Sequence, residues 1–274
     1  MTAPRRDQLA GKALLVLFMV LTLIPFATLL STALQPAGSI PTGFSWPSDP
    51  QWGNFAEAWR IAHLAPLIKS SLLIAVGVVP ASLVLATLAG YGLATLKIPF
   101  SNLIFVVFLL GLTIPFESLI TPLYYQMDSL GLLNTRWALV LPLIALYMPF
   151  GVFWMRAHFL TVPAELSEAA FIDGAGTWRT FRHIHLPLAL PALSSLAILL
   201  FLWTWNQFVL AIVMVDDPLK RTMAGALGAF QGQYGTDIVL LSAGALLIMA
   251  PTIVVFVIFQ RQFSRALLQG AVKG

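Results

Sequence analysis

Residues 158–187 read HFLTVPAELSEAAFIDGAGTWRTFRHIHLP, a charged stretch set between two long apolar runs. Pro163 suits the first position of a helix, where its missing N–H costs nothing. Glu165 and Glu168 then fall toward the positive end of that helix, where carboxylates are favoured. Leu166, Ala169 and Ala170 follow at i, i+3 and i+4, a small-sided apolar stripe. Gly174 is placed to end the helix, because glycine readily takes the left-handed conformation just past a helix terminus. Thr177 is placed to cap a second short helix, with Trp178, Phe181 and His185 spaced along one face. Pro187 closes that helix and admits the next apolar run. The pattern is a helix–glycine–helix elbow. Its small alanines would let another surface approach closely, with a flanking acid adding polar contacts. The same spacing also fits an interfacial helix packing only on its own protein, and spacing does not choose between the two.

Outward from the elbow the chain is overwhelmingly apolar. A helix needs roughly 20 apolar residues to cross a hydrocarbon core about 30 Å thick. On that rule there are six candidate spans: 12–34, 67–96, 102–125, 137–157, 188–213 and 238–259. Composition agrees, since of 274 residues 59% are hydrophobic and only 9% charged, with a mean hydropathy of +0.88. An ordinary soluble domain is about 25% charged, so a soluble enzyme, a disordered chain and a coiled coil are excluded. The expected fold class is all-α, a polytopic membrane protein of six helices. Pro80, Pro115, Pro122, Pro142 and Pro149 fall inside spans, where neighbouring helices can satisfy the freed carbonyls. There is no cysteine, hence no disulfide, thiolate metal site or lipid-attachment cysteine.

Six spans put both termini on one side. With that side cytoplasmic, ten of the 15 basic residues lie inside, and Arg60, Lys69, Arg136, Lys220 and Arg221 lie outside. That is the positive-inside bias. The pI of 9.6 is then a topology signal and not a nucleic-acid footprint. Arg5 and Arg6 precede the first span as in a signal peptide, but the apolar run is too long and no small-residue cleavage site follows, so an uncleaved anchor is expected. The external segment 35–66 carries Trp46, Trp52, Phe55 and Trp59, which suit either a membrane–water boundary or the reception of an external partner. His183 and His185 stand two apart without a paired carboxylate, so they read as solvated cytoplasmic residues and no metal site is expected. No nucleophile–base arrangement and no Gly-x4-Gly-Lys-[Ser/Thr] occurs, so the chain is expected to be non-catalytic and to hold no nucleotide itself.

Glu168-Ala169-Ala170, three residues, Gly174, nine residues, Ile184, one residue and Leu186-Pro187 resemble, position for position, the E-A-A-x3-G-x9-I-x-L-P loop of bacterial ABC importer permeases. Ile114-Pro115, Thr121-Pro122-Leu123-Tyr124, Leu130-Gly131-Leu132, Asn134-Thr135, Trp205-Asn206-Gln207-Phe208 and the closing Gly270-Ala271-Val272-Lys273-Gly274 are similar to the carbohydrate-uptake branch, and together to the smaller six-span subunit of maltose-type importers. The similarity runs along nearly the whole chain. It implies a type I importer permease fold over 1–274 as a single domain, with coupling loop 158–187, external loop 35–66 and cytoplasmic tail 260–274, the last touching the ATPase or anchoring at headgroups. The loop would dock into a cleft of a cytoplasmic ATPase. Glu168 and Asp173 would make polar contacts there, Ala169 and Ala170 would allow close packing, and Gly174 would form the bend; Ile184, Leu186 and Pro187 complete the motif. The resemblance further implies ATP and Mg on a partner ATPase dimer, a second and non-identical permease chain, and an extracytoplasmic substrate-binding lipoprotein. It places the chain in the cytoplasmic membrane, moving a sugar by alternating access.

Intramembrane polar groups normally face a bundle interior. Glu117, Asn206 and Gln207 are therefore candidates for the path, with Tyr124, Tyr125 and Trp205 as sugar-stacking surfaces. For Asn206 and Gln207, interhelical hydrogen bonding is the plainer alternative. On a straight third span Glu117 would lie about 22 Å along the axis at 1.5 Å per residue, near the outer interface and merely solvated. The competing class is an ion-coupled secondary carrier, which would want acids or histidines buried mid-span. A membrane enzyme would want titratable groups clustered at one face, and the elbow is the sole such cluster in the sequence.

Overall fold

The computed structural model describes residues 5–41, 43–232 and 235–271. Val272, Lys273 and Gly274, which end the tail and close its sugar-branch motif, lie outside the described residues. In chain order the helices are α1 (Arg5–Ala33), α2 (Gly53–Ile61), α3 (Leu64–Thr95), α4 (Ser101–Gly111), α5 (Phe116–Ser129) and α6 (Trp137–Phe159), followed by the elbow helices α7 (Ala164–Ile172) and α8 (Thr177–Leu188). Then come α9 (Leu190–Trp205), α10 (Val209–Met214) and the long α11 (Ile238–Ala271). The described strands are a hairpin of β1 (Gln231–Gly232) and β2 (Gly235–Thr236), paired antiparallel, so the architecture is helical as expected.

Four helices are long and apolar enough to cross a membrane: α3, α6, and the segments Gly11–Ala33 of α1 and Ile238–Gln260 of α11. The straight spans expected over 102–125 and 188–213 are instead broken. Helix α4 meets α5 at 98°; the second run is interrupted at 206–208, between α9 and α10, and α9 also meets α8 at 71° at its start. The first break has a local cause. The residue before a proline is driven away from helical backbone, and Pro115 is itself extended, at φ −60° and ψ 129°. The end of α4 tightens as Leu112 and Thr113 donate to carbonyls three residues back, and the Thr113 hydroxyl also donates to the Leu110 carbonyl at 2.7 Å. Helices α3, α6 and α11 carry Pro80, Pro142, Pro149 and Pro251 without breaking.

The chain divides into two compact units. In one, residues 1–65 and 226–251, Asn54 is buried, and its amide donates to the carbonyls of Ala33 at 2.9 Å and Gln35 at 2.8 Å, closing the end of α1. Segment 35–66 thus has a specific pin, while Trp46, Trp52 and Trp59 remain exposed.

The other unit, residues 66–225 and 252–274, is built on close contact of α3 with α6. A Cβ placed on Gly151 would lie 2.8 Å from the Ala86 Cβ, and one on Gly90 would lie 2.7 Å from the Met155 Cβ. Ser70 meets Arg136, Gly77 meets Val140, Ala86 meets Gly151 and Gly90 meets Met155, so the two helices run parallel. Trp154 Nε1 donates to the Ala192 carbonyl at 3.0 Å, and Gly151 faces Leu196, so α9 runs back against α6. After α9 the chain returns to the level where α6 began, where the Asn134 amide donates to the Met214 carbonyl at 2.9 Å. Parallel α3 and α6 require a net return between them, and the bent pair α4–α5 provides it. One core surrounds Ile74, Leu139, Leu143 and Leu210 at that level. A second gathers Tyr91, Met155, Phe159, Phe181 and Leu196 toward the elbow.

Candidate coupling elbow and translocation path

The elbow forms between α6 and α9, with its bend at Gly174, whose φ is +78°. The Ala175 amide donates to the Ala170 carbonyl at 2.8 Å and the Gly174 amide to that of Phe171 at 3.1 Å, the paired bonds of a Schellman terminus. The first arm starts one residue later than expected. Pro163 is the extended cap and Ala164 the first helical residue, with Glu165 in the first turn. Thr177 does not cap the second arm. Gly176 holds the cap position in extended backbone, without a side-chain bond.

Pro187 does not close that arm either. Residues Phe181–His185 form a π turn, and the helix continues through Pro187 to Leu188 before bending. Proline inside an α-helix collides with the carbonyl four residues back, and the wider π turn directly upstream relieves that conflict. The change of direction falls at Ala189, which is buried.

One face of the elbow is anchored. Tyr91 of α3 packs on Phe181 at 4.8 Å and on His185 at 5.0 Å between ring centroids, and Phe159 completes the cluster. His185 is 1% exposed, not solvated as its sequence neighbourhood suggested, while His183 is on the surface. His183 and His185, two apart on a helix, point to different sides, and His185 shares with Phe181 the side packed on Tyr91. Its Nε2 shares a 2.8 Å hydrogen bond with the Ser167 hydroxyl, joining the first arm to the second. Neither Ser167 nor the burial of His185 had a signal in the sequence beyond residue type. Among the described residues no group of three or more His, Cys, Asp or Glu could hold a metal ion.

The opposite face is open. Ile172 is 87% and Trp178 64% exposed, beside exposed Leu166, Phe171 and Ala169. Glu165, Glu168, Asp173 and Arg179 are exposed on the same elbow. The expected stripe is therefore split, with Leu166 and Ala169 facing outward and Ala170 buried within its own elbow. Ile184 and Leu186 are half-buried, and Pro187 is exposed. Chemically the elbow offers exposed apolar area together with charged side chains, suited to a docking groove with apolar walls and polar edges.

Of the candidate path residues, Glu117 lies just past the α4–α5 break, Tyr124 and Tyr125 lie within α5, and Trp205, Asn206 and Gln207 lie where α9 gives way to α10. Glu117 occupies the first turn of α5, just past the 98° bend, and is exposed. The rise counted along a straight helix therefore does not accumulate, and the 22 Å placement is withdrawn. Tyr124 is half-buried and Tyr125 exposed, their rings edge to face at 5.8 Å. Trp205 is 3% exposed and stacks on Phe201 at 5.4 Å, its Nε1 buried without a partner. Asn206 ends α9, and its amide donates back to the Leu202 carbonyl at 2.8 Å. Gln207 accepts the Leu210 amide at 3.3 Å and so starts α10, while its own carbonyl accepts the buried Thr222 hydroxyl at 2.5 Å. These two amides hold helix ends, and Thr222, which sequence reading passed over, closes the break.

Comparison with known proteins agrees with this architecture. The family described as binding-protein-dependent transport system inner membrane component matches residues 82–269. The diacetylchitobiose uptake system permease protein NgcG of Streptomyces coelicolor is 33% identical over 272 residues, covering 98% of this chain and 90% of that protein. The melibiose/raffinose/stachyose import permease protein MelC of Bacillus subtilis is 32% identical over 253 residues, 92% of this chain and 91% of the relative. Among solved structures, a bacterial ABC transporter involved in the import of the acidic polysaccharide alginate aligns at a TM-score of 0.77 with 20% identity, over 96% of this chain and 99% of that one. At that identity the likeness is one of fold.

Proposed function

The chain belongs to the binding-protein-dependent transport inner membrane component family, and from that premise we propose that it carries a sugar or sugar derivative through an ATP-driven importer. Membership makes it a membrane permease subunit of an ABC importer and sets aside the ion-coupled carrier. The sugar rests on relatives whose names specify diacetylchitobiose and the melibiose–raffinose–stachyose group. The observation that carries the coupling role is the elbow. Its bend is fixed by Gly174 at φ +78°, it is pinned through Ser167 and His185, and it leaves Ile172, Trp178, Ala169, Glu168 and Asp173 exposed.

A cytoplasmic ATPase dimer, with ATP and Mg bound to its own subunits, receives this surface. Closure of the dimer drives the elbow, and the packed helices behind it exchange an inward-open for an outward-open arrangement. A dimer has two docking clefts and this chain has one elbow, so a second, non-identical permease chain occupies the other. An extracytoplasmic binding protein delivers the sugar. The chain acts as one permease domain of six spans, the bent pairs α4–α5 and α8–α9/α10 each making one crossing, with both termini and the tail 260–274 in the cytoplasm. Glu117, Tyr124, Tyr125, Asn206 and Gln207 are the path candidates with exposed or half-exposed side chains, and Trp205 is the buried one.

The test is purification of the tagged chain in a gentle detergent with mass spectrometry of its companions. A P-loop ATPase and a second multi-span chain are expected, and the complex in liposomes should take up labelled di- or oligosaccharide only with ATP. Recovery of the chain alone, transporting without ATP, overturns the proposal.

A further inference from the structure

At the end of the α3–α6 pair away from the elbow lies a cavity of about 390 Å³ lined by Leu73, Gly77, Val140, Trp137, Arg136 and Lys220, with Thr135 beside them. Its polarity is graded along the helix axes. Arg136 directly precedes the first residue of α6, and Val140 is one turn farther in. On α3, Leu73 and Gly77 are likewise one turn apart, about 6 Å of rise. The cations sit at the end where α6 begins, and the apolar wall runs along the helices away from them.

The charge at the mouth is only partly neutralised. Lys220 Nζ lies 3.3 Å from the Asp217 carboxylate. Arg136 is held by neutral oxygens, its Nε donating to Ser70 Oγ at 2.9 Å and its Nη2 to the Leu219 carbonyl at 3.5 Å. Neighbouring Arg221 is turned onto the carbonyls of Val215 and Asp216. Two cations thus share one carboxylate, beside an exposed indole at Trp137. Tryptophan and cationic side chains at this level are what headgroups meet. A soluble anion would gain nothing from a wall of Leu73, Gly77 and Val140. A lipid with a negatively charged phosphodiester would engage both parts, its phosphate at Arg136 and Lys220 and the start of an acyl chain along the wall.

We propose that this slot binds one anionic phospholipid from the leaflet opposite the elbow. The site is separate from the coupling face and independent of which sugar is carried. The test is native mass spectrometry of the full chain, with the subunits that accompany it, after adding phosphatidylglycerol, phosphatidylcholine of the same acyl chains, or inorganic phosphate. One copy of phosphatidylglycerol should be retained at least about five-fold over phosphatidylcholine. Lys220→Gln should lower that retention by about three-fold or more, and Asp217→Asn should raise it, without altering phosphatidylcholine. Leu73→Trp, which fills the slot, should abolish the single tight copy while leaving the thermal midpoint in detergent unchanged. Equal retention of the two lipids overturns the proposal, as does phosphatidylglycerol retention indifferent to all three variants. Displacement by equimolar inorganic phosphate also overturns it, since that assigns the site to a free anion.

Discussion

Replacing Gly174 isolates the contribution of one backbone angle to coupling. Its φ of +78° lies in the left-handed region, and a Cβ built there meets nothing within 4 Å. The cost of a side chain is therefore conformational and not steric. For an ordinary L-residue that cost is about 1–2 kcal/mol, at the upper end for a β-branched one. Asparagine visits the region routinely. Gly174→Val should thus shift the balance between the bent elbow and a frayed one by about 5- to 30-fold, losing the Ala175–Ala170 and Gly174–Phe171 bonds together. Gly174→Asn should keep them. In liposomes containing the complete importer, the assay is sugar delivered per ATP hydrolysed. Valine should lower that ratio several-fold or prevent assembly, and asparagine should stay near the wild type. If both variants behave alike, the effect is contact by a partner and not backbone strain. If valine transports normally, the elbow's geometry is not what couples.

Three further outcomes follow from contacts elsewhere. Gly90→Ala would set a Cβ 2.8 Å from the Arg156 backbone nitrogen, so it should cost about 1–3 kcal/mol or more of stability, whereas Gly92→Ala, with only the Ile98 side-chain tip at 3.4 Å, should not; thermal midpoints in detergent compare them, and equal midpoints refute the close-contact argument. Asn54→Ala should strand the Ala33 and Gln35 carbonyls at about 1–3 kcal/mol and speed hydrogen exchange across 35–54, and unchanged exchange there would show that the pin is idle. Asp217 accepts the Leu219 amide and faces Lys220, which hold its carboxyl below the usual carboxylate range despite partial desolvation. Because the folded value is the lower one, this cap is present above the unfolded pKa and lost only as pH falls through the folded value. Protection of the Leu219 amide, corrected for intrinsic exchange, should hold from pH 7 to 5 and fall below about pH 4; loss between pH 7 and 5 contradicts it.

The elbow and four of the spans were legible because their signals are local. Gly174 ends a periodic segment, and the long apolar runs of α1, α3, α6 and α11 need no partner to be recognised. The breaks were not legible. Pro115 and Pro149 look alike in sequence, yet Pro149 continues α6 while packing against Gly111, and Pro115 ends a helix. Averaged hydropathy passes over both. His183 and His185 likewise share a neighbourhood, and the packing of Tyr91 on one side of this arm makes one ring buried and leaves the other on the surface. Asn206 and Gln207 stand out in sequence as amides in an apolar run, with a path or a bond between helices as the two readings. Their bonds finish helix ends at the break, a role that needs the break to be known first.

The glycine contacts between α3 and α6 also bear on where this protein can deform. Gly77, Gly90 and Gly151 bring the two helices together at points spread along most of α6 and the middle of α3, with side chains fitted against bare backbone. Sliding one helix past the other would drive Met155 or Ala86 into main chain at every step, so the pair behaves as a single stiff beam. Compliance is left to the joints at 112–115, Ala189 and 206–208, where the backbone is already out of register. Within this unit, a displacement applied at the elbow would be carried by the paired helices and taken up as rotation at those joints, as in a linkage of rods and pivots.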